Sequence, residues 1–200
     1  MKNGAKALSI SPPQTWPKTW IPASAGMSGA KGHSQSSLFS YPDLMTHSVL
    51  FVCLGNICRS PLAEAAFRDE AHRLKLDVIV DSAGTGDWHV GSPPDPRAQA
   101  VAHRNGVDIS ALRGRQVKPA DFHRFTHIVA LDEDNLANLR RLAPVDAAAD
   151  LSLLLDHVEG REGQPVADPY FGDDDGFDIT WADVTAGAQG LAAALRRLRD

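Results

Sequence analysis

Short apolar runs alternate with segments of helical periodicity from residue 48 onwards, and this order predicts an α/β fold. Four runs have the length and composition of buried strands, and they cover residues 48–53, 78–80, 126–131 and 151–155. The runs are nearly continuous rather than alternating apolar with polar residues, which is typical of parallel strands covered on both sides. We therefore expect one domain with a four-stranded parallel sheet and helices on both faces.

Helical patterns fill the intervals between these strands. Residues 59–74 form the first, and Pro61 suits its opening turn. A second helix is expected from about Pro96, with Gly106 at its C-terminus, and a third over residues 133–142. The closing helix is expected over residues 179–198. The inward-facing residues are Ala63, Phe67, Ala71 and Leu74 in the first helix and Val184, Leu191, Leu195 and Leu198 in the last.

The first 44 residues lack any such periodicity. They contain five of the thirteen prolines, and their four lysines and one acidic residue give a formal charge of +3. We expect residues 1–44 to be a disordered extension, because they cannot bury enough apolar surface to offset the entropy of ordering. The alternative is that the native chain starts at Met45, in which case the segment is a mis-assigned start.

The composition excludes several classes of protein. The chain has 200 residues, of which 43% are hydrophobic and 22% charged, so it is neither collagen-like nor wholly disordered. Its net charge is −5, and residues 45–200 carry −8, which disfavours a nucleic-acid-binding surface. Two cysteines cannot build a disulfide scaffold or a four-cysteine zinc site. No apolar stretch suits a signal peptide or a membrane span, so we expect a cytoplasmic protein that binds no membrane.

The loop after the first strand has the residues of a phosphate site. It reads C-L-G-N-I-C-R-S over residues 53–60, and its Gly55 and Asn56 tolerate the left-handed backbone that turns N–H groups towards one centre. The helix N-terminus and the Arg59 guanidinium add positive charge for a tetrahedral oxyanion. Comparable surroundings lower cysteine pKa values to about 3.5–7.5, so a thiolate is expected at Cys53. A thiolate facing a phosphate is a nucleophile for phosphoryl transfer.

This loop resembles the signature V-C-x-G-N-x-C-R-S-P of the low-molecular-weight protein tyrosine phosphatase family, which residues 52–61 match without exception. The resemblance extends over residues 48–198. It continues in D-S-A-G-T from Asp81, P-P-D-x-R at 93–97, R-Q at 115–116, L-D-E-x-N-L from Leu131 and D-P-Y-F-G at 168–172. The resemblance implies that residues 45–200 are a phosphatase domain that hydrolyses protein phosphotyrosine and small aryl phosphates, without a metal, through a cysteinyl-phosphate.

The resemblance also implies a role for each matching residue. Cys53 is the expected nucleophile, Arg59 binds phosphate and stabilises the transition state, and Asp168 is the general acid. Ser60 is expected to stabilise the thiolate, while Asn56 and Ser82 support the loop. The phosphate-binding residues are Leu54, Gly55, Asn56, Ile57, Cys58 and Arg59, and the walls of the substrate cleft are Trp88, Tyr170 and Phe171. Phe171 stands where many members have a second tyrosine.

Two positions leave questions open. Leu112 lies near the place of a histidine found in many relatives, so the hydrogen bonds behind the loop are expected to differ without loss of activity. Cys58 is either a plain loop residue or the partner of Cys53 in a reversible disulfide that protects the thiolate, and we favour the second interpretation. The eight histidines show no ligand spacing, and no nucleotide-binding glycine motif occurs, so neither metal nor cofactor is expected.

Three other functions compete with this interpretation. A protein arginine phosphatase has a similar loop, with threonine where Ile57 stands here. A thiol-dependent arsenate reductase would use the same cradle, but its relay needs a third cysteine. A non-catalytic phosphate-binding module would lack the nucleophile, the arginine or the acid, and this sequence has all three. The expected partner is a tyrosine-phosphorylated protein, with a tyrosine kinase as one candidate, and the expected state is a monomer or weak dimer.

Overall fold

The computed structural model describes residues 47–199, and within that range four strands form one parallel sheet. The strands are β1 (His47–Cys53), β2 (Val78–Gly84), β3 (His127–Ala130) and β4 (Asp150–Leu153), in the order β2-β1-β3-β4. The predicted four-stranded parallel sheet is therefore confirmed. The expectations for residues 1–44 lie outside the described residues.

Helices connect the strands and close the chain. They are α1 (Arg59–Leu74), α2 (Pro96–Arg104), α3 (Asp121–Arg124), α4 (Glu133–Leu142) and α5 (Asp174–Arg199), with a 3₁₀ turn at Leu154–His157. The predicted bounds of α1 and α4 are confirmed. Helix α2 begins at Pro96, where Asp95 accepts a hydrogen bond from the Arg97 N–H, and Gly106 follows the helix with φ +82°. Helix α3 was not predicted, because a single turn has no periodicity to detect.

Three further predictions differ from the structure. Strand β2 extends beyond the predicted residues 78–80, since Asp81 and Ser82 continue the pairing with β1 although their side chains are polar. Leu154 and Leu155 were predicted to end a strand, but they belong to the 3₁₀ turn and are apolar because they are buried. Leu198 was predicted to face inward, yet it is 72% exposed because α5 continues past the core.

The side chains of β1 divide the core into two layers. Val49, Phe51 and Cys53 face a cluster that includes α1, α2 and α5 residues, whereas Leu50 and Val52 face a smaller cluster with α3 and α4 residues. These five residues are between 0% and 3% exposed. The sheet is therefore covered on both faces, as the continuous apolar runs predict.

The strand order places β1 in the middle of the sheet, between β2 and β3. Connections leave the carboxyl end of β1 towards β2 on one side, and β3 follows on the other side. In open α/β sheets ligands bind beyond the carboxyl ends of strands, where the order of winding reverses. The loop that follows Cys53 lies at this point. Among the described residues, no helix is both long and apolar enough to cross a bilayer.

Candidate active site

The loop between β1 and α1 curls back on the side chain of Cys53. Asn56 adopts a left-handed backbone with φ +55°, and its N–H points at the Cys53 Sγ at 3.3 Å. Of the two residues expected to permit this turn, only Asn56 has a positive φ. The end of strand β2 packs closely against the loop at Gly84. A Cβ at this position would lie only 2.8 Å from the Leu54 carbonyl oxygen, so a side chain does not fit there. The local fold thus depends on an asparagine in the loop and a glycine outside it.

A buried chain of hydrogen bonds extends from Cys53 into the protein. The Ser60 hydroxyl lies 3.1 Å from the Cys53 Sγ. The Asn56 side-chain amide donates to Ser60 and to Ser82, at 2.9 Å each, and its oxygen accepts from the backbone N–H of Arg115. Every polar atom of the Asn56 side chain is thereby used. Asn56, Ser60 and Ser82 are at most 5% exposed, so they lie behind the loop rather than in the cleft.

The last member of this series of hydrogen bonds is Glu64, a carboxylate that the sequence analysis did not single out. Ser82 donates to Glu64 Oε2 at 2.5 Å, and Arg68 pairs with the other oxygen of Glu64. Glu64 is only 2% exposed, and this burial raises its pKa, although Arg68 and Ser82 oppose the effect. Leu112 is partly buried and packs against the larger core cluster. The polar partners of Glu64 in this chain are therefore a serine and an arginine.

Arg59 is buried between two carboxylates. Its Nη1 donates to Asp132 Oδ2 at 2.5 Å and to the Val166 carbonyl at 3.2 Å, while its Nη2 donates to Asp168 Oδ2 at 2.7 Å. Burial opposes its charge, but the negative charges of Cys53, Asp168 and Asp132 outweigh burial and raise its pKa. Asp132 follows β3 and caps α4 with its other oxygen, so two neighbouring strands position one guanidinium.

The second cysteine of the loop, Cys58, is buried beside acidic groups. Burial raises its pKa far above the ordinary value, and Asp95 and Cys53 act in the same direction. Cys58 is therefore a thiol at physiological pH. Both cysteines are free and buried in the structure, and a disulfide between them stays a prediction.

An aromatic-walled cleft of about 260 Å³ lies over the loop. Trp88, Tyr170 and Phe171 border it and are 65%, 40% and 97% exposed. The rings of Tyr170 and Phe171 meet edge to face, with centroids 5.0 Å apart. Asp168 faces the cleft and accepts a hydrogen bond from the Tyr170 N–H at 3.0 Å. The cleft can therefore take a planar aryl group against these rings, and Cys53 and Arg59 border the same cleft.

Arg97 fixes the loop that contains Asp168 and Tyr170. It donates to the carbonyl oxygens of Tyr170 and Gly172, at 3.1 and 3.2 Å, and its guanidinium lies 4.7 Å from the Phe177 ring centre. Asp95 pairs with Arg97 at 3.0 Å and holds it in place. Both residues belong to the P-P-D-x-R stretch, so the sequence contained a signal for them but not their role.

The structure brings the predicted site residues together from four separate stretches of chain. Those that border the cleft are Cys53, Leu54, Gly55, Ile57, Cys58, Arg59, Trp88, Asp168, Tyr170 and Phe171, together with His89, which the sequence analysis missed. His89 belongs to none of the sequence motifs, so only the structure shows that its ring lies beside Gly55 and borders the cleft. Within residues 47–199, no group of three or more His, Cys, Asp or Glu side chains is arranged to hold a metal ion.

Known phosphatases are similar to this chain in sequence and in fold. Residues 48–200 match the family model described as low molecular weight phosphotyrosine protein phosphatase. The low molecular weight phosphotyrosine protein phosphatase of Schizosaccharomyces pombe is 45% identical over 132 residues, which are 64% of this chain and 84% of the relative. The crystal structure of YfkJ from Bacillus subtilis superposes with a TM-score of 0.72 at 38% identity, covering 78% of this chain and 98% of YfkJ. The structure of DARP, an arginine phosphatase of Drosophila, has a TM-score of 0.70 at 31% identity, covering 74% and 97%.

Proposed function

The chain belongs to the low molecular weight phosphotyrosine protein phosphatase family, and from this premise we propose that it hydrolyses phosphotyrosine in proteins by way of a phosphorylated Cys53. One observation carries the assignment to these residues. Cys53, Arg59 and Asp168 border the same aromatic-walled cleft, although Asp168 lies more than a hundred positions further along the chain. Nucleophile, phosphate ligand and acid are thus within reach of one bound aryl phosphate.

The first step transfers the phosphoryl group to sulfur. The thiolate of Cys53 attacks phosphorus, the bond from phosphorus to the phenolic oxygen breaks, and Asp168 gives that oxygen a proton. Ser60 and the Asn56 N–H both lie within hydrogen-bond distance of the Cys53 Sγ and can donate to its negative charge. In the second step water attacks the cysteinyl-phosphate, Asp168 accepts a proton from this water, and the S–P bond breaks to release phosphate.

Arg59 changes partners in this scheme. Its Nη1 stays on Asp132 and the Val166 carbonyl, while the Nη2 that now contacts Asp168 is the part that faces an incoming phosphate. A phosphate dianion that binds this edge competes with Asp168 for it. Asp168 is 42% exposed in its side chain and is therefore able to shift towards the leaving oxygen.

Attraction for phosphate comes from this loop and not from the net charge. Residues 45–200 have 16 basic and 24 acidic residues, so the domain as a whole repels anions. Helix α1 begins at Arg59, and its N-terminus adds a positive end beside the guanidinium. The same local charges stabilise the pentacoordinate phosphorus of the transition state.

We also propose the bounds of the catalytic domain, its substrates, its assembly state and its location. The family match begins at residue 48, which supports a phosphatase domain over residues 45–200. The substrates are tyrosine-phosphorylated proteins, with a tyrosine kinase as one candidate, and the enzyme acts as a monomer or weak dimer. A reducing, cytoplasmic location is supported by the need for a free Cys53 thiol.

The test is hydrolysis of a phosphotyrosine peptide with a chelator present. Wild type is expected to turn over the peptide and p-nitrophenyl phosphate, and Cys53→Ser is expected to be inactive on both. A phosphoarginine peptide of the same sequence examines the competing activity, since an arginine phosphatase is among the structural neighbours. Preferential hydrolysis of phosphoarginine, or full activity of Cys53→Ser, would contradict the proposal.

A further inference from the structure

A second groove lies next to the catalytic cleft and shares two of its walls. Leu54 and Trp88 border both hollows, and the second has a volume of about 620 Å³. Its remaining walls come from the turn after β2, from residues 116–119 and from the outer side of α4. We call it the side groove. A peptide whose tyrosine enters the cleft beside Trp88 can continue into this groove without crossing the protein surface elsewhere.

The side groove is positively charged, unlike the domain around it. Lys118 and Arg141 line it and are exposed, and none of the described residues that line it is acidic. No carboxylate among the described residues forms an ion pair with either cation, and Arg141 donates to the side-chain oxygen of Asn138. Arg141 also borders a neighbouring hollow together with Asp132, Asp134 and Asp168, of which Asp132 and Asp168 pair with Arg59.

Other arginines near the site are neutralised. Arg59 has Asp132 and Asp168, Arg97 has Asp95, and Arg115 has both Asp81 and Asp121. Lys118 and Arg141 are therefore available to charges from outside, in a domain whose net charge is −8. Gln116 adds a polar side chain to the same wall, held by its hydrogen bond to the Thr85 carbonyl at 3.1 Å.

We propose that the side groove binds acidic residues next to the phosphotyrosine, so that the enzyme selects phosphotyrosines in acidic segments of proteins. The inference rests on the proposed function, because it requires a phosphotyrosine in the catalytic cleft. Carboxylates of the substrate pair with Lys118 and Arg141 while its phosphate occupies the loop. Because Leu54 and Trp88 border both hollows, the residues that flank the phosphotyrosine are the ones placed in the side groove.

The experiment compares two phosphotyrosine peptides that differ only at the positions flanking the tyrosine, with Asp and Glu in one and Asn and Gln in the other. The readout is the ratio of kcat/KM for the acidic peptide to kcat/KM for the neutral one. One exposed ion pair between peptide and enzyme is expected to raise kcat/KM by at most about fivefold. Wild type, with two such pairs, is therefore expected to favour the acidic peptide by about twofold to twentyfold at low salt, and less as salt screens the charges.

The variant Lys118→Glu/Arg141→Glu is expected to lose or reverse this preference. The matched control is Arg196→Glu/Arg197→Glu, which changes the net charge equally but alters exposed residues of α5 outside the groove. The control is expected to keep the wild-type ratio. An equal loss in the control would show that net charge alone sets the preference, and would overturn the proposal.

A wild-type ratio near one would also overturn it, as would an unchanged ratio in the groove variant. Hydrolysis of p-nitrophenyl phosphate by every variant separates this result from a failure of the proposed function, because that substrate has no residues to place in the groove. An enzyme active on it and on both peptides without preference has the proposed function but not the proposed selectivity.

Discussion

Asp132 holds the guanidinium of Arg59 in place, and substitutions at this position test that contact. Its two oxygens have different partners: Oδ2 accepts from Arg59 Nη1 at 2.5 Å, and Oδ1 accepts from the Asn135 N–H at 2.7 Å. The first contact orients the guanidinium that we propose binds phosphate, and the second caps α4. A serine at position 132 keeps the cap but is too short to reach Arg59, whereas an alanine loses both contacts.

The two substitutions therefore separate the two contributions. A hydrogen bond to a charged group contributes about 1.5–3 kcal/mol, so both Asp132→Ser and Asp132→Ala are expected to lower kcat/KM by about 10-fold to 150-fold. Loss of an N-cap costs about 1 kcal/mol, so Asp132→Ala should unfold at a temperature about 2–4 °C below Asp132→Ser. Inhibition by inorganic phosphate should weaken equally in both variants.

The assays are steady-state hydrolysis of p-nitrophenyl phosphate, competitive inhibition by phosphate, and thermal unfolding of each variant. Wild-type kcat/KM in Asp132→Ser would refute the role of this carboxylate in positioning Arg59. A difference in activity between the serine and alanine variants that follows their difference in stability would show that the cap, and not Arg59, accounts for the loss.

Three further predictions concern the acid, the buried carboxylate and the support of the loop. Asp168→Asn should reduce hydrolysis of phenyl phosphate more than that of p-nitrophenyl phosphate, because general acid catalysis contributes about 10²–10⁴-fold where the leaving group needs a proton; equal losses would contradict its role. Burial raises the pKa of Glu64, so the folded protein retains a proton that the unfolded chain releases above about pH 4.3. The free energy of unfolding of wild type, measured in urea and compared with that of Glu64→Gln, should therefore fall as pH rises from about 4.3 through the raised pKa of the folded state. A constant difference across that range would count against it. Gly84→Ala should cost about 1–3 kcal/mol of stability and lower kcat/KM, because its Cβ would lie 2.8 Å from the Leu54 carbonyl; Gly172→Ala, whose Cβ would lie 3.6 Å from the nearest atom, is the tolerated control, and equal behaviour of the two would refute the steric argument.

The loop was predictable because its parts are consecutive. Cys53, Asn56, Arg59 and Ser60 lie within eight positions, and strand and helix patterns on either side place them at a strand end and a helix start. The parallel sheet was predictable for a similar reason, since β1 is apolar on both faces and so requires cover on both.

Contacts between distant residues were not predictable in the same way. Asp168 could be placed in the site only by resemblance, since no spacing rule connects it to Cys53. Asp132 and Glu64 were missed because an acidic residue at a helix start or inside a helix is usually a cap or a surface charge. Only the fold shows that Asp132 contacts Arg59 and that Glu64 lies 2% exposed behind Ser82.

The extension of β2 and the burial of Leu154 and Leu155 show the limits of local patterns. Asp81 and Ser82 interrupt an apolar run, yet they stay in the strand because Asp81 pairs with Arg115 and Ser82 bonds to Glu64. Polar residues with buried partners cannot be distinguished from strand ends in a single sequence.

Transfer of the phosphoryl group to Cys53 can be observed by trapping the phosphorylated enzyme. Wild type and Asp168→Asn are quenched in acid during turnover of p-nitrophenyl phosphate, digested, and analysed by mass spectrometry for a phosphoryl group on the peptide that contains Cys53. The adduct is expected on Cys53 in both proteins and is expected to be absent from Cys53→Ser, which should be inactive. A phosphoryl group on another residue, or turnover by Cys53→Ser at the wild-type rate, would contradict it.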